Sequence, residues 1–251
     1  MVGLAEAVSL TESPIRQALA ADSLVRVGHR GAAALAPENS LAAIAAALDH
    51  GVDMVEFDVV RDLHGRLVLA HDPGEASSES PTLEDTLAFL REASTPATTV
   101  DLDLKVGDAA VEIVELLRRF ELTERTVVCA LHRGWLLDIR RHDGNVTTGL
   151  AYPRDRAGVA ERSALLPLVQ FATSVLRQVL PLRVLGMAAR AQVDAVMLHH
   201  SVVSGAAVRR CAAQGLPVFA WTVDDVETAQ EMVAAGVRGI ISNDPRVLDA
   251  I

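Results

Sequence analysis

The stretch MVEFDVVRDLHGRLVLAHDP, residues 54–73, reads as a strand, a tight turn and a second strand. The run 54–59 is apolar apart from Glu56 and Asp58, two positions apart. Successive strand side chains alternate sides, so both carboxylates point the same way. A second run, 66–71, begins after only Asp62-Leu63-His64-Gly65. A parallel neighbour needs a crossover of about a dozen residues or more, so this pair must be antiparallel. Gly65 supplies the positive φ that the turn requires. The returning arm carries His71 and Asp72 back toward Asp58.

Outward from this hairpin, strand-like runs alternate with helical ones. The runs 25–29, 54–59, 99–105, 126–131, 146–151, 195–199, 218–223 and 239–242 make eight strands, most of them rich in Val, Ile and Leu. Such strands are buried on both faces, as in a parallel sheet covered by helices. Helical signals fill the gaps at 40–49, 82–91 and 108–120, the first with Asn39 as N-cap and Gly51 as its stop. Eight strands with helices between them in 251 residues fit an α/β fold, the (β/α)8 or TIM barrel, which typically takes about 250. The expected organisation is one barrel domain over residues 1–251, with 1–22 as a lead-in and the hairpin protruding after the second barrel strand.

Composition narrows the function. Half the residues are hydrophobic and only 3% aromatic, so small branched side chains must fill the core. A net charge of −10 argues against nucleic acid as a partner, though a local cation could still offset that field for a single phosphate. Cys129 and Cys211 lie far apart and form no ligand pattern, so they read as reduced, buried thiols. The N-terminus MVGLAEAVSLTESPIRQ has neither a basic n-region nor an apolar run of signal-peptide length. No transmembrane segment is expected, since no stretch approaches roughly 18 uncharged apolar residues. The nearest, 164–187, is broken by Pro167, Arg177, Pro181 and Arg183. Cytoplasmic residence is the default expectation.

The chemistry gathers in the first third. In VGHRGAAALAPENS, residues 27–40, His29 and Arg30 close a strand. Glu56 and Asp58 face the interior of the next, and two carboxylates there repel unless a cation sits between them or one takes up a proton. The run 99–105 repeats the pattern with Asp101, Asp103 and Lys105 on one face. All-oxygen ligation favours a hard divalent cation, Mg²⁺ or Ca²⁺, over zinc. His29 and His71 titrate near neutrality, which suits one as general base and the other as general acid. Arg30 can grip two phosphate oxygens and Lys105 acts as a point charge. Trp221, at the end of a late strand with Asp224 nearby, can cover a substrate's carbon skeleton. His50, His64, His132 and His142 fall at helix ends or turns and carry no assigned role; His199 and His200 close a strand and read as structural.

Together, His29-Arg30-Gly31, Pro37-Glu38-Asn39-Ser40, Glu56-Phe57-Asp58-Val59, His71-Asp72 and Trp221-Thr222-Val223 resemble the glycerophosphodiester phosphodiesterase family, within the phosphatidylinositol-phospholipase-C-like superfamily. The resemblance implies a (β/α)8 barrel with two histidines as acid and base. It implies a divalent metal held by Glu56, Asp58 and Asp103, the last in place of the family's glutamate, with Lys105 matching its lysine. The implied reaction is hydrolysis of a small-molecule glycerophosphodiester to glycerol 3-phosphate and an alcohol. Two alternatives stay open: lysophospholipase D-type cleavage of a lysophospholipid, and a metal- or phosphate-binding barrel without turnover. The sequence departs from the family in Asp103, in the Ser242-Asn243-Asp244-Pro245 ending, and in a shortened insertion, 74–80. That short segment leaves room for a bulky leaving group, and the apolar 164–187 stretch leaves open a weak membrane-surface contact. Oligomeric state is unconstrained.

Overall fold

The computed structural model describes residues 13–21, 23–153 and 166–251; the first part of the lead-in, Asp22 and the opening of the 164–187 stretch lie outside them. The strands are β1 (Val25–Gly28), β2 (Met54–Arg61), β3 (Leu67–Leu69), β4 (Thr99–Leu104), β5 (Thr126–Ala130), β6 (Thr147–Tyr152), β7 (Ala195–His199), β8 (Val218–Trp221) and β9 (Gly239–Ser242). Eight of them run parallel in the order β1-β2-β4-β5-β6-β7-β8-β9, and β9 closes back on β1. The fold is a TIM barrel. The ninth, β3, pairs antiparallel with β2 through Val59↔Leu69, Val60↔Val68 and Arg61↔Leu67, as the short turn requires. It takes the edge of β2 that β1 leaves free, because β1 pairs only as far as Gly28↔Val55.

Around the barrel run α1 (Pro14–Ala20), α2 (Leu41–Asp49), α3 (Leu83–Ala93), α4 (Ala110–Arg119), α5 (Arg133–His142), α6 (Leu166–Ala191), α7 (Gly205–Ala212) and α8 (Val226–Ala235). The β2 sequence shows how the two faces divide. Val55, Phe57 and Val59 point outward into the main core under the helices. Full burial of a side chain such as Phe57 stabilises by about 1.5–3 kcal/mol. The alternate residues Met54, Glu56 and Asp58 point into the barrel, where Val27, Val127, Cys129, Met197, Phe219 and Ile241 form the inner core. The interior is therefore apolar low down and acidic near the C-terminal rim. Ile15 and Leu19 of α1 join the inner core, so this helix plugs the barrel from below.

Two local expectations shift. Ser40, not Asn39, caps α2: its side chain accepts from Ala43 N at 3.1 Å from an extended backbone. Asn39 stands one residue earlier at φ 55, buried. From residue 166 onward the apolar stretch becomes the larger part of α6, whose Leu180, Val184, Ala188 and Ala191 are buried, a helical spacing that lays one stripe on the barrel. Among the described residues no helix is long and apolar enough to cross a membrane.

Candidate active site

β1 ends at Gly28, and the chain turns at once through Arg30 (φ 50) and Gly31 (φ 82). A side chain at Gly31 would meet the α2 backbone, with Ile44 N at 2.6 Å and Ala43 O at 2.7 Å, so the turn can pass this close only with glycine. The turn is tied to β2 twice: Arg30 N donates to Glu56 Oε2 at 2.7 Å, and Gly31 N donates to Glu56 O at 2.9 Å. His29 is thereby fixed above the carboxylates, its Nε2 3.8 Å from Glu56 Oε2.

Two residues set the orientation of that ring. His29 Nδ1 lies 2.7 Å from Asn243 Oδ1. Asn243 is itself clamped by Asp224, donating N–H to Oδ1 at 2.8 Å and Nδ2 to Oδ2 at 2.7 Å. With Nδ2 spent on a carboxylate, Oδ1 faces the ring and can only accept, so His29 carries its proton on Nδ1 and a lone pair on Nε2. Burial holds His29 below the usual histidine range, and the neighbouring Arg30 charge adds to the effect.

Asp58 is the hub. Its Oδ2 accepts from Asn39 Nδ2 at 3.0 Å and lies 3.2 Å from Arg30 Nε and 3.3 Å from His71 Nδ1, while Oδ1 is 2.9 Å from Lys105 Nζ. Its backbone N–H donates to Asn39 Oδ1 at 3.0 Å, so one buried asparagine grips both ends of the residue. Burial alone would raise the Asp58 pKa, but His71, Lys105, Arg30 and Asn39 together outweigh it and hold the carboxyl well below the usual range. His71 reaches the site on the arm after β3, half-exposed, with Arg30 Nη2 2.9 Å from the same Nδ1. Arg30 can only donate and the Asp58 carboxylate can only accept, so Nδ1 bonds one or the other according to the tautomer, and Nε2 is the ring nitrogen that neither of them holds. Arg30 also chelates Glu38 through Nη1, at 2.8 Å to each oxygen.

β4 supplies the third wall. Its pairing with β2 sets Asp58 beside Asp103 and Glu56 beside Asp101. Lys105 Nζ bridges Asp103 Oδ2 at 2.6 Å and Asp58, and both carboxylates raise its pKa against the cost of burial. Glu56 is pushed up by burial and by the charges of Asp58, Asp101 and Asp103. Asp103 is raised chiefly by burial. Below it, Asp101 sits against the Cys129 thiol with its carboxyl pushed up to about 7, mainly by burial.

Glu56, Asp58 and Asp103 offer oxygens that all lie within 4.8 Å of one another. Asp103 Oδ1 is buried without a hydrogen-bond partner. A crowded oxygen set with one orphaned lone-pair donor fits a hard divalent cation. Seven of the eight residues singled out in the sequence thus converge: His29, Arg30, Glu56, Asp58, His71, Asp103 and Lys105. Trp221 stands apart, in edge-on contact with His199 at 5.1 Å. The supporting residues Asn39, Asn243, Asp224 and Asp101 were not assigned to the site. The signal for Asn243 was its place two residues beyond the inward-facing Ile241.

A sequence profile of the glycerophosphoryl diester phosphodiesterase family matches residues 29–88 and 152–247, more than half of the chain. The chain belongs to that family. Both matched blocks contain site residues, whereas β4 with Asp103 and Lys105 falls between them. A glycerophosphodiester phosphodiesterase of Caldanaerobacter subterraneus is 23% identical over 258 residues, covering 88% of this chain and 95% of its own. The probable glycerophosphodiester phosphodiesterase 1 of Mycobacterium tuberculosis is 29% identical over 250 residues, covering 87% and 89%. Among solved structures, a putative glycerophosphoryl diester phosphodiesterase from Silicibacter pomeroyi superposes with a TM-score of 0.74 at 22% identity, over 94% of this chain and 97% of that one. An Oleispira antarctica phosphodiesterase in complex with its product sn-glycerol-3-phosphate gives 0.68 at 19% identity, over 91% and 96%.

Proposed function

We propose that this protein is a glycerophosphodiester phosphodiesterase that hydrolyses its substrate to glycerol 3-phosphate and an alcohol, with His29 as general base and His71 as general acid. The single observation that carries the reading is the meeting of two histidines from different chain segments on one carboxylate cluster: His29 Nε2 3.8 Å from Glu56, and His71 Nδ1 3.3 Å from Asp58. Membership of the family and the product-bound relative support the same substrate class.

In this reading Glu56, Asp58 and Asp103 hold a divalent cation, Mg²⁺ or Ca²⁺, which when bound neutralises phosphate charge. His29, proton on Nδ1, accepts the proton of the attacking oxygen at Nε2. Its partner Asn243 keeps that lone pair aimed at the site through the reaction. His71, at the half-exposed end of the hairpin arm, delivers a proton to the departing alcohol where that alcohol meets solvent. Lys105 and Arg30 face the phosphate with positive charge, and the carboxylates around them keep both side chains extended into the mouth. Trp221 lies against the organic part of the substrate. The water-soluble diester is preferred to a lysophospholipid, because the product-bound relative points to the glycerol 3-phosphate end of the substrate. Leu180, Val184, Ala188 and Ala191 of α6 are also buried on the barrel, which leaves Val175 and Leu182 as its exposed large apolar side chains among the described residues.

The test is release of glycerol 3-phosphate from glycerophosphocholine, measured after dialysis against chelator and again with Mg²⁺ or Ca²⁺ restored, with lysophosphatidylcholine in parallel. Cation-dependent turnover of the deacylated diester is expected. Full activity in excess chelator would remove the metal from the reading, and a preference for the lysophospholipid would reverse the substrate assignment.

A further inference from the structure

We propose that His199 is a specificity-determining residue of this site, a neutral N–H donor that binds an oxygen of the substrate's glycerol arm across the mouth from the carboxylates. This rests on the phosphodiesterase reading above and names the residue that recognises the non-reacting part of the substrate.

Position comes first. In the barrel order, β7 lies four strands from β2 in either direction, so the two face each other across the mouth. Ala195 and Met197 of β7 belong to the inner core. His199 is two residues further on, so its side chain continues that inward row at the C-terminal rim, level with Trp221 on β8. For a phosphate seated among the β1, β2 and β4 residues, this is the opposite wall of the mouth, open to an organic arm of the diester.

The ring's protonation follows from its partners. Ser201 N–H donates to His199 Nδ1 at 3.3 Å, and Ser201 Oγ lies 2.7 Å from the same nitrogen. A nitrogen that accepts from a backbone N–H carries a lone pair, so the ring proton sits on Nε2. Burial, reinforced by His200, lowers the pKa to about 4, so the ring is uncharged at neutral pH. His200 does not compete for the site, because its Nδ1 donates to Thr222 O at 2.7 Å. Two rings hold the imidazole in place: Trp221 edge-on at 5.1 Å and 87°, and His200 at 4.3 Å.

These constraints say what the residue can bind. An uncharged ring with its proton aimed from one nitrogen is a hydrogen-bond donor. It offers no cation to a phosphate and no apolar surface beyond its own face to an acyl chain. Its complement is a neutral oxygen, a glycerol hydroxyl. A site built around such a donor discriminates strongly, because an analogue without the oxygen leaves the N–H unpaired.

The experiment compares glycerophosphocholine, whose only hydroxyl-bearing arm is glycerol, with bis(p-nitrophenyl) phosphate, which has none. Three proteins are assayed: wild type, His199→Leu, which removes the donor, and His199→Asn, which keeps one. For His199→Leu we expect kcat/KM on glycerophosphocholine to fall about tenfold, mainly through KM. Activity on the aryl diester should be unchanged, and His199→Asn should recover most of the loss. An equal fall on both diesters, or no fall on glycerophosphocholine, overturns the assignment of His199 alone. A wild type that cleaves neither diester overturns the phosphodiesterase reading and this one with it.

Discussion

His29 and His71 differ in how they are held. His29 is buried and locked through Asn243 to Asp224, whereas His71 hangs from a hairpin arm with one nitrogen tethered. General acid–base groups typically contribute about 10²–10⁴-fold, so His29→Ala and His71→Ala should each lower kcat by that order while circular dichroism and Tm stay near wild type. Asn243→Ala should give a smaller loss, in kcat and not KM, because the ring remains but its tautomer is no longer set. His199 makes a pH prediction. Its folded pKa of about 4 lies below the unfolded value of about 6.5, so the unfolded chain binds more protons in between. The stability tied to neutral His199 is fully present above the unfolded pKa and is lost as pH falls from about 6.5 toward 4. Thermal melts of His199→Asn should therefore fall less steeply than wild type across that window, and parallel curves would refute the shift. At this scale the sequence exposed the groups proposed to do chemistry and hid those that orient them. Glu56 and Asp58 announce themselves by a spacing of two on an apolar strand, but Asn39 and Ser40 are both good capping residues. Only the tertiary pairing of Asn39 with Asp58 decides which of them caps the helix.

The elements that build the site are the hairpin and the turn after β1. The hairpin was legible because chain length settles it: four residues cannot make a parallel crossover, and Gly65 stands at φ 81 where the turn needs it. The role of α1 was not legible, since Ile15 and Leu19 make too short an apolar pattern to reveal that they plug the barrel. Strand ends also moved: β1 stops at Gly28 and β8 at Trp221, one and two residues short of the runs read from the sequence. Gly31 and Gly65 offer a controlled comparison. Both have φ near +80°, but a methyl group at Gly65 meets nothing within 4 Å, whereas at Gly31 it strikes the backbone of α2. Gly65→Ala should carry only the conformational penalty, about 1 kcal/mol. Gly31→Ala adds a clash that must move the turn or the helix, and it should cost clearly more than about 1 kcal/mol. Because Arg30 and Gly31 both bond Glu56, the same change should also depress activity, which Gly65→Ala should leave intact. Denaturant melts and initial rates on the two variants check both halves.

For the whole molecule, the governing fact is charge. The chain carries −10 overall, and Glu56, Asp58, Asp101 and Asp103 are drawn into one mouth against the cations Arg30 and Lys105. Burial and mutual repulsion raise Glu56, Asp101 and Asp103 above the usual carboxylate range, so folding brings together groups that resist being charged side by side. A divalent cation that binds this cluster in the folded state only must stabilise the fold by mass action. At a hundred times its Kd, that linkage is worth about 2.7 kcal/mol. For a domain of this size the gain corresponds to roughly 5–10 °C in Tm. Mg²⁺ or Ca²⁺ should produce such a shift and chelator should reverse it. Monovalent salt at matched ionic strength should not, since screening of the overall charge acts on exposed groups and barely reaches a buried cluster. Asp103→Asn removes one ligand charge and should shrink the shift, while Asp103→Glu keeps the charge and should preserve it. If neither cation moves Tm beyond the monovalent control, the three carboxylates do not form a metal site, whatever the enzyme's activity proves to be.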